Sequence, residues 1–379
     1  MIRLGDICTI KSGYAFKSEQ FSNSGIPVIR IGNITNTGLK VEDNICFDKD
    51  FWANNPNYRV EKNDVLIAMS GATVGKCCIN TLTDELLLNQ RVASISAKTD
   101  VDYKYIYYNI VSERFAKYIS EQSVGCAQPN ISVKCLAEYT IKVIPKEEQQ
   151  NIVDVFTQVD DLISNHNQQL ERIDELVKAR FVELFGGYER TVTIARYIAE
   201  LRGGKSLAGT EPCKNKVLKT GAATFGWFDP KQYKYLPTDY KPLSEHKVET
   251  GDVIISRMNT PELVGACSYV FNAPDNMYYP DRLWKAVLKE NTNPIFLWQL
   301  LWDRDVRKAI KEKSGGTSGT MHNISKPNLL AIKCMDAPIE LQNEYANFVK
   351  QVDKSKFEVQ QSLEKLETLK KSLMQQYFG

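Results

Sequence analysis

Nine apolar positions between Pro145 and Gly186 limit what this chain can become. Ile152, Phe156, Val159, Ile163, Leu170, Ile173, Val177, Phe181 and Leu184 follow one another at gaps built from fours and threes, which keeps them on one stripe of a helix. His166 falls on the same seam, where it reads as a buried, register-setting polar contact. Pro145 suits a first helical turn, Glu147 and Glu148 suit the positive end of the helix dipole, and Gly186-Gly187 supply a stop. At 1.5 Å per residue, some 40 residues make a rod of roughly 60 Å. Such a stripe requires a partner.

The partner lies 193 residues further on. Glu340-Leu341-Gln342 follows Pro338 much as Glu147-Glu148-Gln149 follows Pro145, and Val349, Val352, Val359, Leu363 and Leu366 continue the same seam. Tyr377-Phe378-Gly379 closes this stretch as Leu184-Phe185-Gly186 closes the other. Register held over some 40 residues marks two copies of one unit. The division expected is a first domain over 1–145, a helix over 146–187, a second domain over 188–338 and a second helix over 339–379. An α+β chain with approximate twofold symmetry follows, its mixed domains joined by an antiparallel coiled coil that holds them apart.

The globular parts repeat in the same order. Ile26 to Ile34 alternates as a strand, Val65 to Met69 is a buried strand running into Ser70-Gly71-Ala72-Thr73-Val74-Gly75-Lys76, and Leu87 to Ile95 is another strand. Residues 103–119 carry aromatics at helical spacing, and 139–144 reads as a closing strand. In the second half, residues 248–256 answer 60–68, Val264-Gly265-Ala266-Cys267 answers Val74-Gly75-Lys76-Cys77, and Asp281-Arg282 stands where Gln90-Arg91 stood. His322-Asn323-Ile324-Ser325 answers Pro129-Asn130-Ile131-Ser132. Residues 207–245 are read as having no counterpart.

Composition excludes some classes. The longest apolar runs fall short of a membrane span, and the opening Met1-Ile2-Arg3-Leu4-Gly5-Asp6 lacks signal-peptide character, so a cytoplasmic protein is expected. Nine scattered cysteines without a C-x-x-C pair, with three distant histidines, suit reduced buried thiols and no metal site. A net charge of +2 does not announce nucleic acid, so a DNA-binding role requires clustered basic residues or charge supplied by another subunit.

The chain resembles the specificity subunits of type I restriction-modification enzymes. The resemblance covers nearly its whole length. It rests on the duplicated plan, on Ile29-Arg30-Ile31-Gly32-Asn33-Ile34, Gly71-Ala72-Thr73-Val74-Gly75-Lys76, Leu88-Asn89-Gln90-Arg91 and Gln128-Pro129-Asn130-Ile131-Ser132, and on Ile144-Pro145 followed by Glu147-Glu148-Gln149. It implies two target recognition domains that each read half of a split sequence in double-stranded DNA. The helices would act as spacer and as dock for two adenine methyltransferase subunits, through which a motor and nuclease subunit joins. S-adenosylmethionine would sit on the methyltransferase, with no cofactor on this chain. The second half departs from the pattern at Pro280-Asp281-Arg282 and Met321-His322.

Catalytic machinery is not legible. Asn55-Pro56-Asn57-Tyr58 misses the Asn-Pro-Pro-Tyr methyltransferase motif, and Gly203-Gly204-Lys205-Ser206 lacks the earlier glycine of a phosphate loop, where Ala199 stands. The candidate DNA-binding residues are Lys17, Arg30, Asn33, Thr73, Lys76, Gln90, Arg91, Gln128 and Asn130 in the first copy. In the second they are Arg202, Lys205, Lys219, Arg257, Asn259, Arg282, Lys285, His322 and Asn323. Arg bonds guanine bidentately, Asn and Gln bond adenine, and Lys more often positions phosphates. A solvated charge or a loop cap is the competing reading for each, and core packing competes for Tyr14, Phe16, Trp227 and Phe228. The rival functions are a coiled-coil scaffold for protein partners and a stand-alone nuclease.

Overall fold

Each heptad stretch forms an unbroken 40-residue helix, Lys146–Phe185 and Ile339–Phe378, in the computed structural model. The structure describes residues 1–35, 38–41, 45–98, 100–122, 130–318 and 320–379. It comprises two units, Met1–Asn167 with Gln361–Gly379, and Gln168–Gln360, so each long helix contributes one end to each.

The first unit is built on four antiparallel strands in the order Cys8–Ser12, Val92–Ala97, Val65–Ala68 and Cys77–Ile79. All four residues of Val65–Ala68 are buried because both faces of the sheet are covered. Val65 and Ile67 face a core with Tyr105, Ile106, Phe115 and Phe156, while Leu66 and Ala68 pack with Ile29, Ile34 and Leu88. That second layer holds Ile26–Ile29 between Cys46–Phe47 and Leu87–Leu88, and the pairing with Leu87–Leu88 is parallel.

The second unit repeats this plan. Its sheet runs Ile198–Gly203, Leu283–Leu288, Val253–Ser256, Cys267–Tyr269. Lys216–Leu218 lies between Tyr233–Tyr235 and Met277–Tyr278, again antiparallel on one side and parallel on the other. This corrects the sequence reading that residues 207–245 stand alone. Lys216–Leu218 is the counterpart of Ile26–Ile29, and the 3-10 turn Thr220–Ala223 is that of Ile31–Asn33. The equivalence is carried by long-range parallel pairing, which leaves little local sequence pattern.

Two smaller corrections concern helices and ends. Residues 103–119 form two helices, Tyr103–Ile110 and Glu113–Gln122, because the Ser112 hydroxyl accepts the Phe115 N–H at 3.2 Å and starts a new helix. Pro294–Leu300 and Arg304–Lys313 break likewise, with Asp303 as the cap. The strand read over 139–144 is only Thr140–Ile141, paired with Ile2–Arg3.

The start of each long helix is clamped to its unit by one glutamine. Gln149 Oε1 accepts the Asp102 N–H at 3.0 Å while its Nε2 donates to the Ile144 carbonyl at 2.8 Å. Gln342 does the same with the Asn293 N–H at 2.9 Å and the Ala337 carbonyl at 2.8 Å. Both are buried, so the shared Pro-Glu-Gln pattern has a structural cause.

Within the first unit the helices run antiparallel. Phe156 packs on Phe378, Lys370 pairs with Asp160 at 2.5 Å, and His166 Nε2 lies 3.0 Å from the Ser362 hydroxyl. His166 Nδ1 sits 2.9 Å from the Leu162 carbonyl, which can only accept, so Nδ1 carries the proton and Nε2 accepts from Ser362. Within the second unit Arg180 pairs with Glu344 at 2.7 Å and Lys356 with Asp174 at 2.5 Å, also antiparallel. Phe156, Val159 and Val349 are buried in the seam, whereas Ile152, Ile163, Leu170, Ile173, Val177, Val352, Val359, Leu363 and Leu366 are half-buried.

Candidate nucleic-acid interface

Strand pairing brings many of the candidate residues to one edge of the first unit. Because Ile29 lies beside Leu88 in parallel register, the chain leaves both strands at the same end, at Arg30 and at Asn89-Gln90-Arg91. Met69 at the end of the buried strand donates its N–H to the Arg91 carbonyl, and Ser70 bridges Asn130. Thr73 ends the adjoining 3-10 turn, Gly71–Thr73. Arg30, Thr73, Gln90, Arg91 and Asn130 are exposed there. Lys17 is exposed three residues beyond Tyr14, whose carbonyl accepts the Gln90 N–H. Lys76 is half-buried beside the same hairpin.

Asn33 is differently employed. It is buried, its Oδ1 accepts the Arg30 N–H at 2.7 Å, and its Nδ2 donates to the Lys40 carbonyl at 2.8 Å. Its amide therefore shapes the turn that presents Arg30. Gln128 lies outside the described residues.

The second unit assembles an equivalent edge. Lys219 occupies the position of Arg30, before a 3-10 turn and exposed. Arg282 occupies that of Arg91, its carbonyl accepting the Arg257 N–H at 3.1 Å, and Asn323 that of Asn130, paired opposite Met258. Arg257 reaches Asn323 Oδ1 at 3.4 Å and lies over the Trp284 ring at 5.8 Å. Asn259 bonds Thr224 and stands opposite His322, which contacts the Ser314 hydroxyl at 3.1 Å. Lys205 is exposed, while Arg202 is held by Glu200 at 2.7 Å.

Lys285 is not brought to this edge. Its amine reaches the opposite end of the sheet and sits 2.7 Å from Glu249 and 2.8 Å from Asp252. Burial opposes its charge, but the hydrogen bonds and charges of Asp252 and Glu249 outweigh that and raise its pKa. Glu249 is held below the ordinary carboxylate range, first by the Lys285 hydrogen bond and then by its charge.

The glycine loops have a packing role. A Cβ on Gly13 would lie 1.8 Å from the Leu88 carbonyl oxygen, and one on Gly204 would lie 1.9 Å from that of Tyr279. Gly204 of Gly203-Gly204-Lys205-Ser206 thus answers a close backbone approach shared by both units. Among the described residues no group of three or more His, Cys, Asp or Glu is placed to hold a metal, and no helix is long and apolar enough to cross a membrane. Burial pushes the thiols of Cys8, Cys77 and Cys78 up to about 12.

Sequence reasoning passed over Phe225, which stands exposed beside Trp227 with the ring centroids 5.8 Å apart. Phe16, by contrast, is core, inside a nest with Phe47 and Phe51.

Two copies of one α+β unit, each with a polar edge at equivalent strand ends, define a duplicated chain. Residues 1–175 match the family of the type I restriction modification DNA specificity domain. The EcoKI specificity subunit of Escherichia coli K12 is 22% identical over 404 residues, covering 98% of this chain and 86% of that relative. The MjaVIII specificity subunit of Methanocaldococcus jannaschii is 24% identical, covering 83% and 78%. In fold, the chain is similar to the S subunit of a type I restriction-modification system from M. genitalium, with a TM-score of 0.61 at 15% identity over 100% of this chain and 95% of that one. A chain from a study of complex assembly and conformational transition in a type I R-M system aligns with a TM-score of 0.55 at 14% identity, covering 100% and 96%. Residues 1–175 thus match the specificity domain, and over its length the chain is similar to specificity subunits of type I restriction enzymes.

Proposed function

We propose that the two units each read one half of a split sequence in double-stranded DNA, with the paired helices setting the gap. The observation that carries this reading is the equivalence of the two edges. Arg30 and Lys219, Arg91 and Arg282, and Asn130 and Asn323 sit at matching places, and the first pair differs in chemistry. One frame with different side chains suits two different half-sites. Arg30, Gln90, Arg91 and Asn130, and on the other side Arg257, Arg282, His322 and Asn323, are the base-reading groups. Lys17, Thr73, Lys76, Lys205 and Lys219 position the backbone. Asn33 and Asn259 hold these groups in place, whereas Arg202 and Lys285 are tied to acidic partners.

The chain docks two adenine methyltransferase subunits, which bring S-adenosylmethionine, and through them the motor and nuclease, in the cytoplasm. Support for docking on the helices comes from a second apolar row on Lys146–Phe185: Val155, Leu162 and Leu176 recur at multiples of seven and are exposed. Co-expression with the methyltransferase, followed by mapping of methylated adenines across the host genome, tests the function. A split motif with a fixed gap that vanishes when this chain is omitted is expected. Methylation that persists without the chain, or none from a complex shown to assemble, would refute it.

A further inference from the structure

We propose that Phe225 and Trp227 form an aromatic wedge that stacks against a base step in the half-site read by the second unit. This rests on the DNA-recognition reading and adds a mode of contact that hydrogen-bonding residues do not supply.

The two rings are 61% and 57% exposed, and they stack on each other at 29° between planes. Exposed aromatics are common singly, but a paired display on a fixed base points to a partner. The base is fixed on both sides. Ala222 and Ala223 are fully buried, the Thr224 hydroxyl donates to the Thr220 carbonyl at 2.9 Å, and Asn259 Nδ2 donates to that hydroxyl at 3.3 Å. Beyond the rings, Phe228 packs against the core containing Leu218 and Met277, and the Asp229 N–H donates to the Ala222 carbonyl. Gly226 turns the chain between the rings at a φ of +87°, beside Trp302. The tip is therefore held while its two aromatic side chains face solvent, which lowers the entropy lost on binding.

Charge selects the partner. Residues 214–234 hold five lysines, Lys214, Lys216, Lys219, Lys231 and Lys234, against the single acid Asp229, a surplus of four in a chain whose net charge is +2. Aromatic rings interleaved with lysines match a polyanion with stackable faces, namely nucleic acid. Apolar side chains that enter duplex DNA wedge between base steps. The first unit has no such wedge among its described residues: after its equivalent turn the chain enters Ile34–Thr35, where Ile34 is buried.

The test uses the complex with the methyltransferase and a duplex carrying its mapped motif. The double variant Phe225→Ala with Trp227→Ala should bind about tenfold or more weakly. The slope of log affinity against log salt should stay unchanged, because no phosphate contact is lost. Phe225→Tyr with Trp227→Phe should restore affinity, and DNA should shield Trp227 fluorescence from acrylamide. Lys219→Ala should instead lower the slope by about one. A double variant that assembles, binds and methylates as the wild type does would overturn the wedge alone. A variant that loses the methyltransferase while keeping DNA affinity would overturn it in favour of a protein contact. A wild-type complex that fails to bind the motif would overturn the recognition reading and the wedge with it.

Discussion

The two units share a frame and spend their side chains in opposite directions. In the first, Phe16, Phe21, Phe47, Phe51 and Trp52 turn inward and build an aromatic nest beneath the outer strands. In the second, Phe225 and Trp227 turn outward at the corresponding layer. Their conserved turns diverge in the same way. Asp64 accepts the hydroxyls of Ser94 and Ser96 in the first unit, whereas Asp252 at the matching place accepts the Tyr279 hydroxyl and pairs with Lys285. Both aspartates also accept a backbone N–H three residues earlier, from Glu61 and Glu249. What repeats is whatever closes the backbone: caps, the clamp glutamines, and the glycines at close approaches. What differs lies at the edge, in the layer behind it, and in the partners of Asp64 and Asp252 at the far end.

The largest effects are expected at two buried phenylalanines of the helix Lys146–Phe185. Phe156 and Phe185 are fully buried in the first and second cores. Phe156→Ala and Phe185→Ala should each cost about 3 to 5 kcal/mol. Hydrogen exchange followed by mass spectrometry should show faster exchange in Val92–Ala97 for the first variant and in Leu283–Leu288 for the second. Equal loosening of both sheets by either change would deny that the two cores are separate.

Gly13→Ala and Gly204→Ala test the shared frame. Each new methyl would meet a carbonyl oxygen of the facing strand, so each should destabilise by about 2 to 3 kcal/mol, measured by denaturant unfolding. A large difference between them would show that the frames are not equivalent.

Arg30 and Lys219 sharpen the functional side. Arg30→Ala should relax one base position by about 1 to 3 kcal/mol, seen as a degenerate letter in the methylated motif. Lys219→Ala should weaken binding evenly across sequences and reduce the salt slope by about one.

The smallest effect is expected at the ion pair. Lys285→Ser gives the second unit the residue type of Ser94. It should cost about 1 kcal/mol, because Asp252 keeps the Tyr279 hydroxyl and the Glu249 N–H. Glu249 has a depressed pKa when folded, so its contribution is present above the unfolded carboxylate value and is lost as pH falls through the folded one. The difference between wild type and variant in unfolding experiments should therefore shrink below roughly pH 4.

Much of the frame was legible because periodicity is local. The heptad stripes gave both long helices nearly to the residue, and the apolar run at Val65 gave the doubly covered strand. The break at Ser112 was hidden because the aromatic spacing of residues 103–119 continues across it. The counterpart of Ile26–Ile29 is not legible in the sequence because Lys216–Leu218 is identified by its parallel neighbour 61 residues away. At the candidate site, residue type showed who could touch DNA but not who was already occupied. Asn33 and Lys285 are committed to partners at Lys40, Glu249 and Asp252, and such pairings are visible only once the chain is folded.

In the proposed reading, two units on paired helices read two half-sites at a set distance. Insertion of one heptad into each long helix, at matched places in the seam, tests it most directly. Seven residues add roughly 10 Å of helix, or about three base pairs at 3.4 Å, and keep the seam in register. Mapping the methylated adenines should return the same two half-sites with a gap about three base pairs wider. The original gap, methylated by an assembled complex carrying the longer helices, would contradict the account.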